Sequence, residues 1–95
     1  MSYNAETALG LMRTRLNRLP GDTSLDSYFQ ARLDAAAQEL AGNGIELTNT
    51  VEDTMLVVDV AVWQYSNRDS AAGMPPWLRL RRRERWLREA GANDS

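Results

Sequence analysis

A chain of 95 residues has room for one domain with a modest core, marginally stable alone unless it oligomerises. With 43% hydrophobic and 25% charged residues the composition is that of an ordinary soluble globular protein, and global disorder is excluded. The net charge is −2, and the chain has no cysteine and no histidine; that excludes disulfides and thiolate metal sites and removes the commonest general base and zinc ligand, so neither catalytic nor metal-binding chemistry nor a cofactor is expected.

The first expected helix runs from about Ala5 to Leu19. Leu9, Met12, Leu16 and Leu19 recur at helical spacing, Asn4 is placed to cap the start, and Pro20-Gly21 stops it. Asp22, Thr23 and Ser24 signal the start of a second helix, with Asp26 favouring its dipole. One face of that helix carries Leu25, Tyr28 or Phe29, Leu33, Ala36 and Leu40, and Gly42-Asn43-Gly44 is a left-handed stop. Ile45 to Leu47 reads as a short extended link. Thr48, Asn49 and Thr50 offer caps for a third helix, with Asp53 three residues after Thr50.

The third helix is expected over about Val51 to Asp69. Met55, Val57, Val58, Ala61, Val62 and Tyr65 cover more than a narrow stripe, so it should be the central and most buried helix. Val57, Val58 and Val60 would also suit a strand, but the apolar pattern outruns one strand length and both caps are present. After a loop at Ser70 to Met74, Pro75 and Pro76 suit the first positions of a fourth helix, where a missing N–H costs nothing. It should reach about Glu89, with 90–95 a frayed tail. The fold class is therefore all-α, a compact bundle of about four helices filling residues 1–95 as one domain, with no internal repeat.

No basic segment followed by an apolar run marks the N-terminus as a signal peptide, and the longest apolar run, Met55 to Val58, is far short of the ~20 residues of a membrane span. A cytosolic protein, or a part of something assembled there, is expected. All eleven basic residues are arginine, and six of them (Arg79, Arg81, Arg82, Arg83, Arg85, Arg88) fall within ten residues, while Leu19 to Leu78 holds nine acids against Arg32 and Arg68. Genomic base composition would account for the missing lysine but not for the clustering. A subunit so bipolar along its chain suits head-to-tail contact with its own copies, the heterologous arrangement that closes into rings.

Several side chains are candidates for contacts beyond the subunit. Asp59 falls at the edge of the apolar arc of the third helix, a boundary residue facing solvent or a neighbouring subunit. Trp63 projects close to the polar side, which fits core packing and an intersubunit contact equally. Arg68 favours the dipole at the helix end or reaches an acid on this or an adjacent copy. In the fourth helix Trp77, Leu80 and Leu87 share an arc that should face inward, with Trp86 opposite among Arg79, Arg82 and Arg83. A tryptophan flanked by arginines fits protein docking or nucleic-acid binding better than a bare solvated face. The overall acidic balance disfavours a freestanding nucleic-acid binder.

Taken together, a capped Leu- and Ala-rich helix from Asp22 to Leu40, a long apolar helix ending in Tyr65-Ser66-Asn67-Arg68, a short loop, and Pro75 before a helix with Leu78, Leu80 and Arg82 or Arg83 resemble the small head–tail connector (adaptor) proteins of tailed bacteriophages. The resemblance spans about Leu9 to Leu87, with a terminal helix denser in arginine than that family's. It implies a structural virion protein, not an enzyme. Such a protein is made in the host cytoplasm and forms a ring, twelvefold in the virion, between the portal and the next neck (stopper) protein. That ring extends the channel for double-stranded DNA without reading its sequence. On this reading Arg68, Asp59, Trp63, Arg79, Arg82, Arg83 and Trp86 face a neighbouring subunit or the portal. The rival reading is a small helical DNA-binding regulator using the arginine helix, against which stand the long apolar helix before it and the long break between them.

Overall fold

The computed structural model describes residues 3–19, 21–67 and 73–93. The fold is all-α: α1 (Ala5–Arg15), α2 (Asp26–Gly42), α3 (Val51–Ser66) and α4 (Pro76–Asn93), with no strand among the described residues.

Each helix boundary has a local cause. The Asn4 side chain accepts from the Thr7 N–H and starts α1 as expected. The helix ends at Arg15, not at Leu19. Asn17 takes a left-handed φ of 60°, its N–H bonds to the Thr14 carbonyl, and the Arg18 N–H reaches back to Arg13 at 2.8 Å. That pair of bonds is a Schellman stop, and it turns the chain before Leu19, which is exposed. Asp22 does not cap α2; its carboxylate accepts from the N–H and hydroxyl of Ser24, closing a local turn, and α2 begins four residues later at Asp26. Its C-terminus has the second Schellman stop, with Gly44 at φ 90° and bonds from Gly44 N–H to Ala41 and from Ile45 N–H to Leu40. Ile45 and Leu47 are buried with Glu46 exposed between them, the two-residue alternation of an extended link. Thr50 caps α3 by accepting from the Asp53 N–H. Asn67 closes the other end on the Trp63 carbonyl, three residues or so short of the expected end; Arg68 and Asp69 lie outside the described residues.

The core confirms α3 as the central helix. Leu56, Val57, Val58, Val60 and Ala61 are all buried, and α3 is the helix that approaches each of the other three. Ala8 and Met12 of α1, Phe29, Leu33, Ala36, Ala37 and Leu40 of α2, and Ile45 and Leu47 of the link pack with it. At the Tyr28/Phe29 alternative it is Phe29 that enters the core, with Tyr28 over 40% exposed. Phe29 meets Tyr65 edge-on at 5.8 Å between ring centroids.

The fourth helix differs from the sequence reading in two ways. It continues to Asn93, past the expected end near Glu89. It is also rotated: Trp77, Leu80 and Leu87 are about half exposed, and Leu78 is the α4 side chain that is fully buried among the described residues. Taking Leu78 as the centre of the inner face puts Arg82, four residues further on, at the boundary with the other flank, and Arg81 and Arg85, at three and seven, on the inner side. Those two inner arginines have carboxylates to meet, which is why the face with fewer apolar residues turns inward.

Candidate functional site

The inner face of α4 is an ionic seam. Arg85, 11% exposed, donates through Nε to Asp53 Oδ1 at 2.8 Å, through Nη1 to Glu89 at 3.0 Å, and through Nη2 to the Glu46 carbonyl at 2.7 Å. Asp53 is only 2% exposed, and its other oxygen accepts from the N–H and hydroxyl of Thr48, at 2.7 and 2.8 Å. One guanidinium thus ties α4 to the start of α3 and to the link after α2. Burial by itself raises the Asp53 pKa; the Arg85 guanidinium and the two Thr48 bonds outweigh it and hold the carboxyl below its ordinary value. Arg85 is raised in return, chiefly by its bond to Asp53.

Asp59 is the second anchor. It is not the boundary residue expected, being 3% exposed; Arg15 of α1 donates to one oxygen at 2.6 Å and Arg81 of α4 to the other. A carboxylate inside an apolar helix needs such partners, and two arginines from different helices supply them. Arg88 pairs with Glu52 at the exposed edge of the seam.

The outer flank of α4 has the opposite character. Arg79, Arg82, Arg83 and Trp86 stand at i, i+3, i+4 and i+7, one continuous stripe. Among the described residues no carboxylate lies within ion-pair distance of the three arginines, whereas Arg81, Arg85 and Arg88 are all paired. The stripe forms one wall of a groove of about 530 Å³, with Asn43 and Ile45 opposite and Pro76 and Leu80 along it. Trp86 is 43% exposed. A Cβ at Gly44 would come within 3.2 Å of its indole Nε1, so the glycine that permits the left-handed stop also lets the indole settle on the turn.

The structure therefore brings Arg79, Arg82, Arg83 and Trp86 together on one surface. Asp59 is separated from them in the seam. Trp63 is half-buried and packs against the core. Arg68 lies outside the described residues. Sequence reasoning missed Asp53, Arg81 and Arg85 as a unit. Their signal was the stripe of Leu78, Arg81 and Arg85, which looks solvated until the two aspartates of α3 are set against it. Among the described residues no three carboxylates converge as a metal-holding group, and no helix is long and apolar enough to cross a membrane. No family model, no curated protein and no solved structure matches the chain.

Proposed function

We propose that this chain is a head–tail connector subunit of a tailed phage: a structural protein that assembles as a ring between the portal and the next neck protein and prolongs the DNA channel. The observation that carries the reading is the division of α4 into two faces. Its inner face is consumed by the subunit, through Leu78, Arg81 and Arg85. Its outer face leaves two tryptophans, two leucines and three arginines with no carboxylate partner among the described residues at the surface of a small all-helical body. Tryptophan and arginine are the usual anchors of protein interfaces, and a chain of this size gains most from burying them in an assembly. The order of elements supports the same reading, from the Leu- and Ala-rich helix to the apolar helix closing on Tyr65 and Asn67, the loop, and the proline-led arginine helix.

The test is to mix the purified chain with portal rings and examine the product by native mass and negative-stain imaging. Stoichiometric rings capping the portal are expected. A chain that stays apart from portals and forms no ring sinks the reading. The regulator alternative draws on the same three arginines, and tight, salt-sensitive binding to duplex DNA by the isolated chain would favour it. Half of the arginine cluster is already neutralised by Asp59, Asp53 and Glu52, which weakens that alternative.

A further inference from the structure

We infer that the groove beside α4 receives an acidic amphipathic helix from a different protein, laid along the stripe of Arg79, Arg82, Arg83 and Trp86. The inference rests on the reading of α4 as a docking element and names the chemistry of its partner. Three observations converge on it. The stripe has the i, i+3, i+4, i+7 spacing of one helix face, so its groups lie in line over about 10 Å, two turns of a helix. Such a row is matched by the carboxylates of a second helix running alongside, each guanidinium offering a planar fork to one carboxylate. The groove is concave and its wall is mixed: Ile45, Leu80 and Trp86 supply apolar surface between the charges. A partner therefore needs apolar anchors as well as acids, which defines an amphipathic acidic helix rather than an acidic tail. Finally, the three guanidinia lack carboxylate partners among the described residues while their neighbours on the inner face have them, so among those residues the positive charge of this flank is left for a partner.

The other occupants fit less well. Most of the exposed large apolar side chains of a second copy (Trp77, Leu80, Trp86 and Leu87, against Leu19, Tyr28 and Val51) sit on its own arginine helix, so apolar contact between copies there would set arginine against arginine. A nucleic-acid duplex brings rows of phosphates but no row of apolar anchors to match Ile45, Leu80 and Trp86.

The experiment is an anisotropy titration of the full chain against labelled synthetic peptides. One set carries Glu and Asp with Leu, Phe or Trp at helical spacing. A second has the same composition with the spacing scrambled, and duplex and single-stranded oligonucleotides serve as competitors, with sedimentation run in parallel. Saturable binding of the patterned acidic peptides is expected, weakening as salt rises. The scrambled set should bind about tenfold more weakly, and both Arg82→Glu/Arg83→Glu and Trp86→Ala should lower affinity by about tenfold or more. Should the double reversal disturb the circular dichroism, Arg82→Gln/Arg83→Gln is the substitute and should show the same loss. Equal binding of patterned and scrambled peptides, tighter binding of an oligonucleotide lost on the same substitutions, self-association abolished by them, or no binding by any peptide would each overturn the inference. Rings that form on portals without peptide binding sink this inference alone; peptide binding without rings sinks the connector reading alone.

Discussion

Arg85 and Asp53 show how one residue pair sets the position of a whole helix. The guanidinium satisfies a carboxylate that is almost fully buried, and Thr48 and the Glu46 carbonyl complete the network. Removing one member leaves the other buried without its partner. Arg85→Ala is expected to cost about 3–5 kcal/mol in denaturant unfolding. Asp53→Asn should be destabilising too, and it should alter the response to acid. Because the folded-state pKa of Asp53 lies below its unfolded value, its contribution is complete above the ordinary carboxylate range and disappears as pH falls through the depressed value. Stability curves of the parent and Asp53→Asn measured against pH should therefore differ at neutrality and draw together below about pH 4. Parallel curves throughout would remove the pair from the account of α4. Arg88 and Glu52 are both more than half exposed, and their pairing is expected to add little.

Among the elements, α3 and α4 stand at opposite extremes. The core of α3 is a block of fully buried valines and leucine, so Val58→Asp places an unpaired charge where no partner reaches it and should prevent folding. Val62 is only half-buried, and Val62→Asp should cost less. A Val58→Asp variant with unchanged circular dichroism and melting temperature would contradict the burial of α3. Among the described residues the fourth helix approaches no helix but α3, and its fully buried apolar contact is Leu78. Leu78→Ala should cost about 2–5 kcal/mol. Because polar groups supply most of its remaining attachment, amide exchange in α4 should be faster than in α2 and α3. Equal protection across the three helices would show α4 to be part of the same cooperative unit.

For the whole molecule, the charge pattern along the chain is only partly available to partners. The acids of α3 and the arginines on the inner face of α4 neutralise each other within the subunit, so the head-to-tail attraction read from the sequence loses Asp53, Asp59 and Glu52 as unpaired partners. On α4, what remains outside is the arginine stripe with Trp86, and Glu84. Reversing Arg82 and Arg83 to glutamate should leave the fold intact and abolish assembly on the portal, read by native mass. Trp86→Ala should likewise spare the melting temperature and impair assembly, since an interface tryptophan contributes roughly 2–4 kcal/mol at a hot spot. Normal assembly by either variant would remove the outer flank of α4 from the interface.

Helix number, order and central α3 were legible from local chemistry: caps at Asn4 and Thr50, the Gly44 stop, the proline start of α4, and apolar spacing dense enough to identify the buried helix. Each of these is decided within a few residues along the chain, so no distant contact is needed to read it. The early end of α1 was less visible, because a left-handed asparagine at position 17 carries no composition signal as strong as glycine's. The orientation of α4 was decided by tertiary structure. Counting apolar residues favoured Trp77, Leu80 and Leu87 as its inner face, but burial of an arginine depends on whether a carboxylate lies across from it. That is set by where Asp53 and Asp59 stand on another helix. The stripe of Arg79, Arg82, Arg83 and Trp86 was visible in the sequence as a pattern; only the packing of α4 against α3 separated its arginines, which meet no carboxylate among the described residues, from the paired ones and gave the stripe a groove.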